Sequence, residues 1–168
     1  MSVNRQSYGA HVEIEPAFGL TPGLPNEAQI LIICNESSLV ERLRSMFRQI
    51  GLNSESASSI TDGCNLAKSG RFQVILTVPV LHDGSWRRLI DLSKHYELTH
   101  EVVLLADDFD LRQWGEALND GAFDVINLLY ELPNAANVVV AAFWAVYLKG
   151  GGELPQCLLK LESSRNAA

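Results

Sequence analysis

The stretch Phe72-Gln73-Val74-Ile75-Leu76-Thr77-Val78-Pro79-Val80-Leu81-His82-Asp83-Gly84-Ser85-Trp86 joins an apolar run to a turn. Residues 72–78 are too continuously apolar for a half-exposed strand and predict one covered on both faces. Asp83-Gly84 is a loop pair. Ile30–Ile33 is a second such run, suited to a parallel strand, and Glu101–Ala106 is a third. A weaker, polar strand fits Asn53–Ala57, near a sheet edge, and Phe123–Asn127 supplies a fifth.

Helical signals separate these runs. Ser38-Leu39-Val40-Glu41 has the spacing of a capping box, followed by the stripe Leu39, Leu43, Met46, Phe47 and Ile50 and a stop at Gly51. A short helix is expected after Thr61, and a longer one over Trp86–Tyr96. Another covers Asp110–Asp120, where Leu111, Trp114 and Leu118 give an apolar side and Gly121 ends it. The last runs from near Pro133, a good first-turn residue, to Lys149. Strands alternating with helices predict right-handed crossovers and a parallel sheet. The expected fold is α/β, a flavodoxin-like (βα)5 three-layer sandwich around a central five-stranded parallel sheet. Residues 1–27 read as a flexible leader and 28–149 as the domain. Residues 150–168 read as a glycine-rich break with a short tail, whose Leu154–Leu161 segment either docks as a small helix or stays mobile.

The 168 residues are 47 % hydrophobic and 20 % charged, a globular composition large enough for one core. The net charge of −7 argues against a nucleic-acid partner bound through a general basic surface. Arg42, Arg44 and Arg48, the densest basic cluster, read as a solvated helix face. No apolar stretch approaches a membrane span, and no signal peptide is visible, so a cytoplasmic protein without membrane attachment is expected. Cys34, Cys64 and Cys157 have no metal-ligand spacing, and their odd number argues against a disulfide framework.

In order and spacing, three phrases resemble the receiver domain of bacterial two-component response regulators, over roughly residues 28–149. They are the first strand ending in Cys34-Asn35-Glu36, the third strand with its Leu81-His82-Asp83-Gly84 loop, and Gly121-Ala122-Phe123-Asp124. Trp114–Gly121 is similar to that family's fourth helix. The resemblance implies a degenerate site, a pseudo-receiver. Receivers carry an acidic, Mg²⁺-binding pair after strand one, where Cys34 and Asn35 stand here, followed by Glu36. The aspartate that accepts the phosphoryl group aligns with Val78, the Ser/Thr after strand four with Leu105, and the lysine after strand five with Leu128. The aromatic switch is read as kept at Tyr130. A valine cannot attack a phosphoryl donor, and three apolar side chains remove the charge that phosphoryl transfer needs. Neither a resident metal nor a cofactor is expected, and no enzyme activity.

Asp83, Asp107, Asp108 and Glu36 are expected around the carboxyl ends of the strands, where a reduced cation site or contact with an unrelated ligand is the functional reading. In the plainer one, Asp83 belongs to a loop pair with Gly84, and Asp107 and Asp108 precede a helix whose positive end favours acids. Cys34 is expected there too, as a buried, inert thiol rather than a redox sensor. His82 has no partners for catalysis. Val139, Val140, Phe143, Trp144, Val146 and Tyr147 make the last helix apolar on more than one side, which suggests a covered second face. The expectation is phosphorylation-independent signalling by protein–protein interaction, with a signalling partner or a homodimer formed through helix four, strand five and helix five. The candidate contact residues are Trp114, Tyr130, Phe143, Trp144 and Tyr147. Alternatives are a receiver phosphorylated at a displaced acid such as Asp83, a small-molecule or redox sensor, and an enzyme on the same fold. The last lacks a glycine-rich phosphate loop after strand one.

Overall fold

A computed structural model describes residues 28–151. The expected leader, the Leu154–Leu161 segment and Cys157 lie outside the described residues. Five parallel strands, β1 (Gln29–Ile33), β2 (Asn53–Ala57), β3 (Val74–Thr77), β4 (Glu101–Ala106) and β5 (Asp124–Asn127), form one sheet in the order β2-β1-β3-β4-β5. The helices are α1 (Ser37–Gln49), α2 (Ile60–Ala67), α3 (Arg87–Tyr96), α4 (Leu111–Asn119) and α5 (Ala135–Lys149), the last entered through a 3₁₀ turn at Leu132–Asn134.

Side chains alternating along the strands supply two separate cores. Ile30, Ile32, Val74, Leu76, Val103, Leu105 and Ile126 pack with Leu43 and Phe47 of α1 and Val139 and Phe143 of α5. Leu31, Ile33, Ile75, Val102, Leu104 and Val125 pack with Ile60 and Cys64 of α2, Leu89 of α3 and Ala117 of α4. Both faces of the sheet are therefore covered, which is why its inner strands read as unbroken apolar runs. Edge strand β2 needs no such run. Its Glu55 instead takes a fork from the Arg71 guanidinium.

Several expectations change at element ends. Helix α1 starts at Ser37, so Ser38 already lies inside its first turn and cannot cap it. The Ser38 hydroxyl donates to Glu36 Oε1 (2.9 Å), and Glu41 pairs with Arg44. Helix α2 is capped by Ser59, whose hydroxyl accepts from the Asp62 amide. A true capping box stands at α4, where Asp110 and Gln113 satisfy each other's backbone amides. Strand β3 is shorter than the apolar run that announced it. After Val78, whose amide donates to the Ile33 carbonyl, the chain leaves the sheet into a small hairpin pairing Val80–Leu81 with Gly84–Ser85. Gly121 ends α4 with φ +111°, a left-handed conformation that favours glycine.

Ahead of β4, the His100 imidazole is largely enclosed and its Nε2 has no hydrogen-bond partner among the described residues. Burial pushes its pKa below the usual histidine range, opposed in part by a hydrogen bond with the Leu89 backbone. With its folded pKa below the unfolded one, the unfolded chain binds the proton more readily. Stability is then fully present above the unfolded value, near 6.5, and declines as pH falls below it. His100→Leu should reduce the loss of stability between about pH 8 and about pH 5.5, measured by urea unfolding at each. An unchanged pH dependence would assign the decline to other groups.

Candidate functional site

The carboxyl ends of β1, β3, β4 and β5 converge on a cleft of about 300 Å³. Val78, one residue beyond β3, meets Leu105 from the end of β4 and Leu128 just after β5. Leu105 is 1 % exposed, while Val78 and Leu128 are half-buried against the α1/α5 core. The floor is therefore apolar, and full burial of each such side chain contributes about 1.5–3 kcal/mol. Glu36, Asp107 and Asp108 stand exposed at the rim with Asn35. The five residues that the sequence picked out, Asn35, Glu36, Val78, Leu105 and Leu128, do share one cleft.

Its donor set does not suit Mg²⁺, a hard ion that demands oxygens in near-octahedral array. The floor offers hydrocarbon, Glu36 is engaged by the Ser38 hydroxyl, and no metal-holding cluster of His, Cys, Asp or Glu occurs among the described residues. Cys34 is buried beneath the rim, where burial pushes its thiol pKa up and its sulfur accepts from the Glu36 amide at 3.3 Å. A thiol so raised is a poor nucleophile at neutral pH.

Asp83 departs from expectation, because it does not line this cleft. The hairpin turns it onto the N-terminus of α2, where its two carboxylate oxygens accept from the Ile60 and Thr61 amides at 2.9 and 2.7 Å. The Thr61 hydroxyl and these amides hold its carboxyl well below the usual carboxylate range. It is a helix cap. His82 is exposed on the same hairpin.

The proposed contact residues also separate. Trp114 and Tyr130 line a larger groove of about 610 Å³ between α4, β5 and the start of α5. Phe143 does not. It is 3 % exposed and belongs to the α1/α5 core, because it falls on the flank of α5 that carries Val139 and Ala142. Trp144 and Tyr147 lie outside the groove and pack edge-to-face on each other, with centroids 5.7 Å apart. The apolar side of α4 points outward: Leu111 is 88 % exposed and only Ala117 is buried from that helix. Leu111, Phe109 and Val138 line the groove without having been singled out as contact residues. The signal available was the i, i+3 pair Leu111/Trp114 on a helix that buries only the small Ala117.

This topology is shared with known structures. The signal receiver domain of an HD domain-containing protein from Pseudomonas fluorescens Pf-5 superposes with a TM-score of 0.67 at 15 % identity, over 77 % of this chain and 96 % of that one. The chain has the receiver fold. The beryllofluoride-activated NtrC4 receiver domain dimer gives 0.64 at 18 % identity, over 70 % of this chain and 98 % of that one. The Ssk1 receiver domain of Saccharomyces cerevisiae, solved with the phosphotransfer protein Ypd1, gives 0.58 at 17 % identity, over 66 % and 83 %. No family model matches the chain, and no curated protein matches it. Among the described residues, no helix is long and apolar enough to cross a membrane.

Proposed function

We propose that this chain is a pseudo-receiver, a noncatalytic module of two-component-type signalling in the cytosol that works by protein contact without being phosphorylated. One observation carries the reading: Val78, Leu105 and Leu128 meet as the hydrocarbon floor of the cleft at the strand ends. In a receiver fold this is where a carboxylate nucleophile, a hydroxyl and a lysine would be needed. Phosphoryl transfer is driven by positioned charge, and this floor supplies none. The displaced-acid alternative is disfavoured by the capping bonds of Asp83, which commit both of its oxygens to α2. With the cleft closed to that chemistry, the exposed groove bearing Trp114 and Tyr130 is the surface through which the module acts. Solved receivers include a dimer and a complex with a phosphotransfer protein, so contact through one face suits the fold.

Incubating the full chain with acetyl phosphate and Mg²⁺ is expected to leave both its intact mass and its sedimentation behaviour unchanged. A stoichiometric acyl-phosphate on any aspartate would sink the proposal, and peptide mapping of the adduct would show whether Asp83 carries it.

A further inference from the structure

We infer that the groove between α4, β5 and the start of α5 receives a partner-protein segment in which apolar side chains stand beside lysine or arginine. This rests on the interaction-face reading above and adds the chemistry of what binds. Leu111 and Tyr130 are 88 % and 81 % exposed, and Trp114 is 42 % exposed. Apolar groups of this size gathered round one concavity mark a surface that something covers. Trp and Tyr are also the side chains that most often anchor such contacts.

Charge identifies the occupant. Among the described residues, Asp110, Asp124 and Glu131 are the charged groups lining the groove, and no lysine, arginine or histidine joins them. Each carboxylate is already held by a backbone amide: Asp110 by that of Gln113 at 2.8 Å, Asp124 by that of Val125 at 2.7 Å, and Glu131 by that of Asn127 at 2.9 Å. Acceptor sites on each carboxylate remain free for an incoming cation. Because the acids are ordered beforehand, a cation meeting them incurs less of the entropic cost of fixing side chains. A second copy presenting the same groove would bring two acidic sets face to face, and that repulsion opposes a symmetric dimer here. An acidic segment is opposed for the same reason.

Two synthetic amphipathic peptides with identical leucine and tryptophan positions, one with lysine and one with glutamate at every polar position, test this by fluorescence anisotropy on the full chain. The lysine peptide should bind and weaken with added salt, and the glutamate peptide should not bind. The Asp124→Asn/Glu131→Gln double variant keeps an oxygen for each backbone amide. It should weaken the lysine peptide by about fivefold or more, with its unfolding midpoint unchanged. Asp62→Asn, on exposed α2 surface, should leave binding as it was. Failure of the lysine peptide to bind, or indifference to the double variant, overturns the inference. Equal binding of both peptides, lost in Trp114→Ala, removes the charge argument and leaves the face an interface, whereas indifference to Trp114→Ala removes the face itself. Self-association that Trp114→Ala abolishes would make the occupant a second copy and overturn the inference as well.

Discussion

Phe143→Ala is expected to lower folding stability by about 3–5 kcal/mol, the usual cost of deleting a buried aromatic ring and leaving a cavity. Phe143 sits in the α1/α5 core with Leu43, Phe47, Leu132 and Val139, and almost none of its surface reaches water. The neighbouring Trp144→Ala removes a larger side chain at a smaller cost, about 1 kcal/mol, because that ring is only half-buried and its aromatic contact is Tyr147. Urea unfolding of the two variants should therefore give a large shift in midpoint for Phe143→Ala and a small one for Trp144→Ala. Equal losses would mean that the two rings do not divide between core and surface. The contrast matters for function, since lost partner binding in Phe143→Ala would report an unfolding domain rather than a broken contact.

These neighbours also mark how far sequence carries. Wherever an element is apolar on one periodicity, its identity was legible: continuous runs named β1, β3 and β4, and the i, i+4, i+8 spacing of Leu39, Leu43 and Phe47 named α1. The grouping of Val78, Leu105 and Leu128 was legible too, because parallel strands bring residues at their carboxyl ends together whatever their side chains are. Helix α5 was legible as a helix, but its inward face was not, since a helix apolar all round has no phase to read. Only packing against β4 and α1 decides that Phe143 turns inward and Trp144 outward. Asp83 failed for another reason. A sequence shows a carboxylate in a loop, but not that a two-strand hairpin will aim it at free amides of α2, residues 60 and 61.

Those amides belong to a helix pressed closely onto the sheet, and Gly63 sets how closely. A Cβ built there would stand 2.3 Å from Ile33 Cδ1 and 2.8 Å from its Cγ1. Real carbon atoms do not approach that far, and Ile33 has no exposed surface into which it could swing. Alanine is the better helix former by about 1 kcal/mol, so propensity alone would make Gly63→Ala stabilising. Steric overlap should reverse the sign, giving a net loss of about 1–3 kcal/mol. The mechanism makes a further demand. Ile33→Val deletes the Cδ1 atom and alone should cost about 1 kcal/mol through the lost methyl. In the double variant the two losses should not add, falling short of their sum by about 0.5 kcal/mol or more, because valine removes the nearer overlap, that with Cδ1, and leaves only the one with Cγ1. Strict additivity would locate the cost of Gly63→Ala elsewhere. Coupling would fix α2 against the end of β1, and with it the hairpin that carries Asp83 away from the cleft.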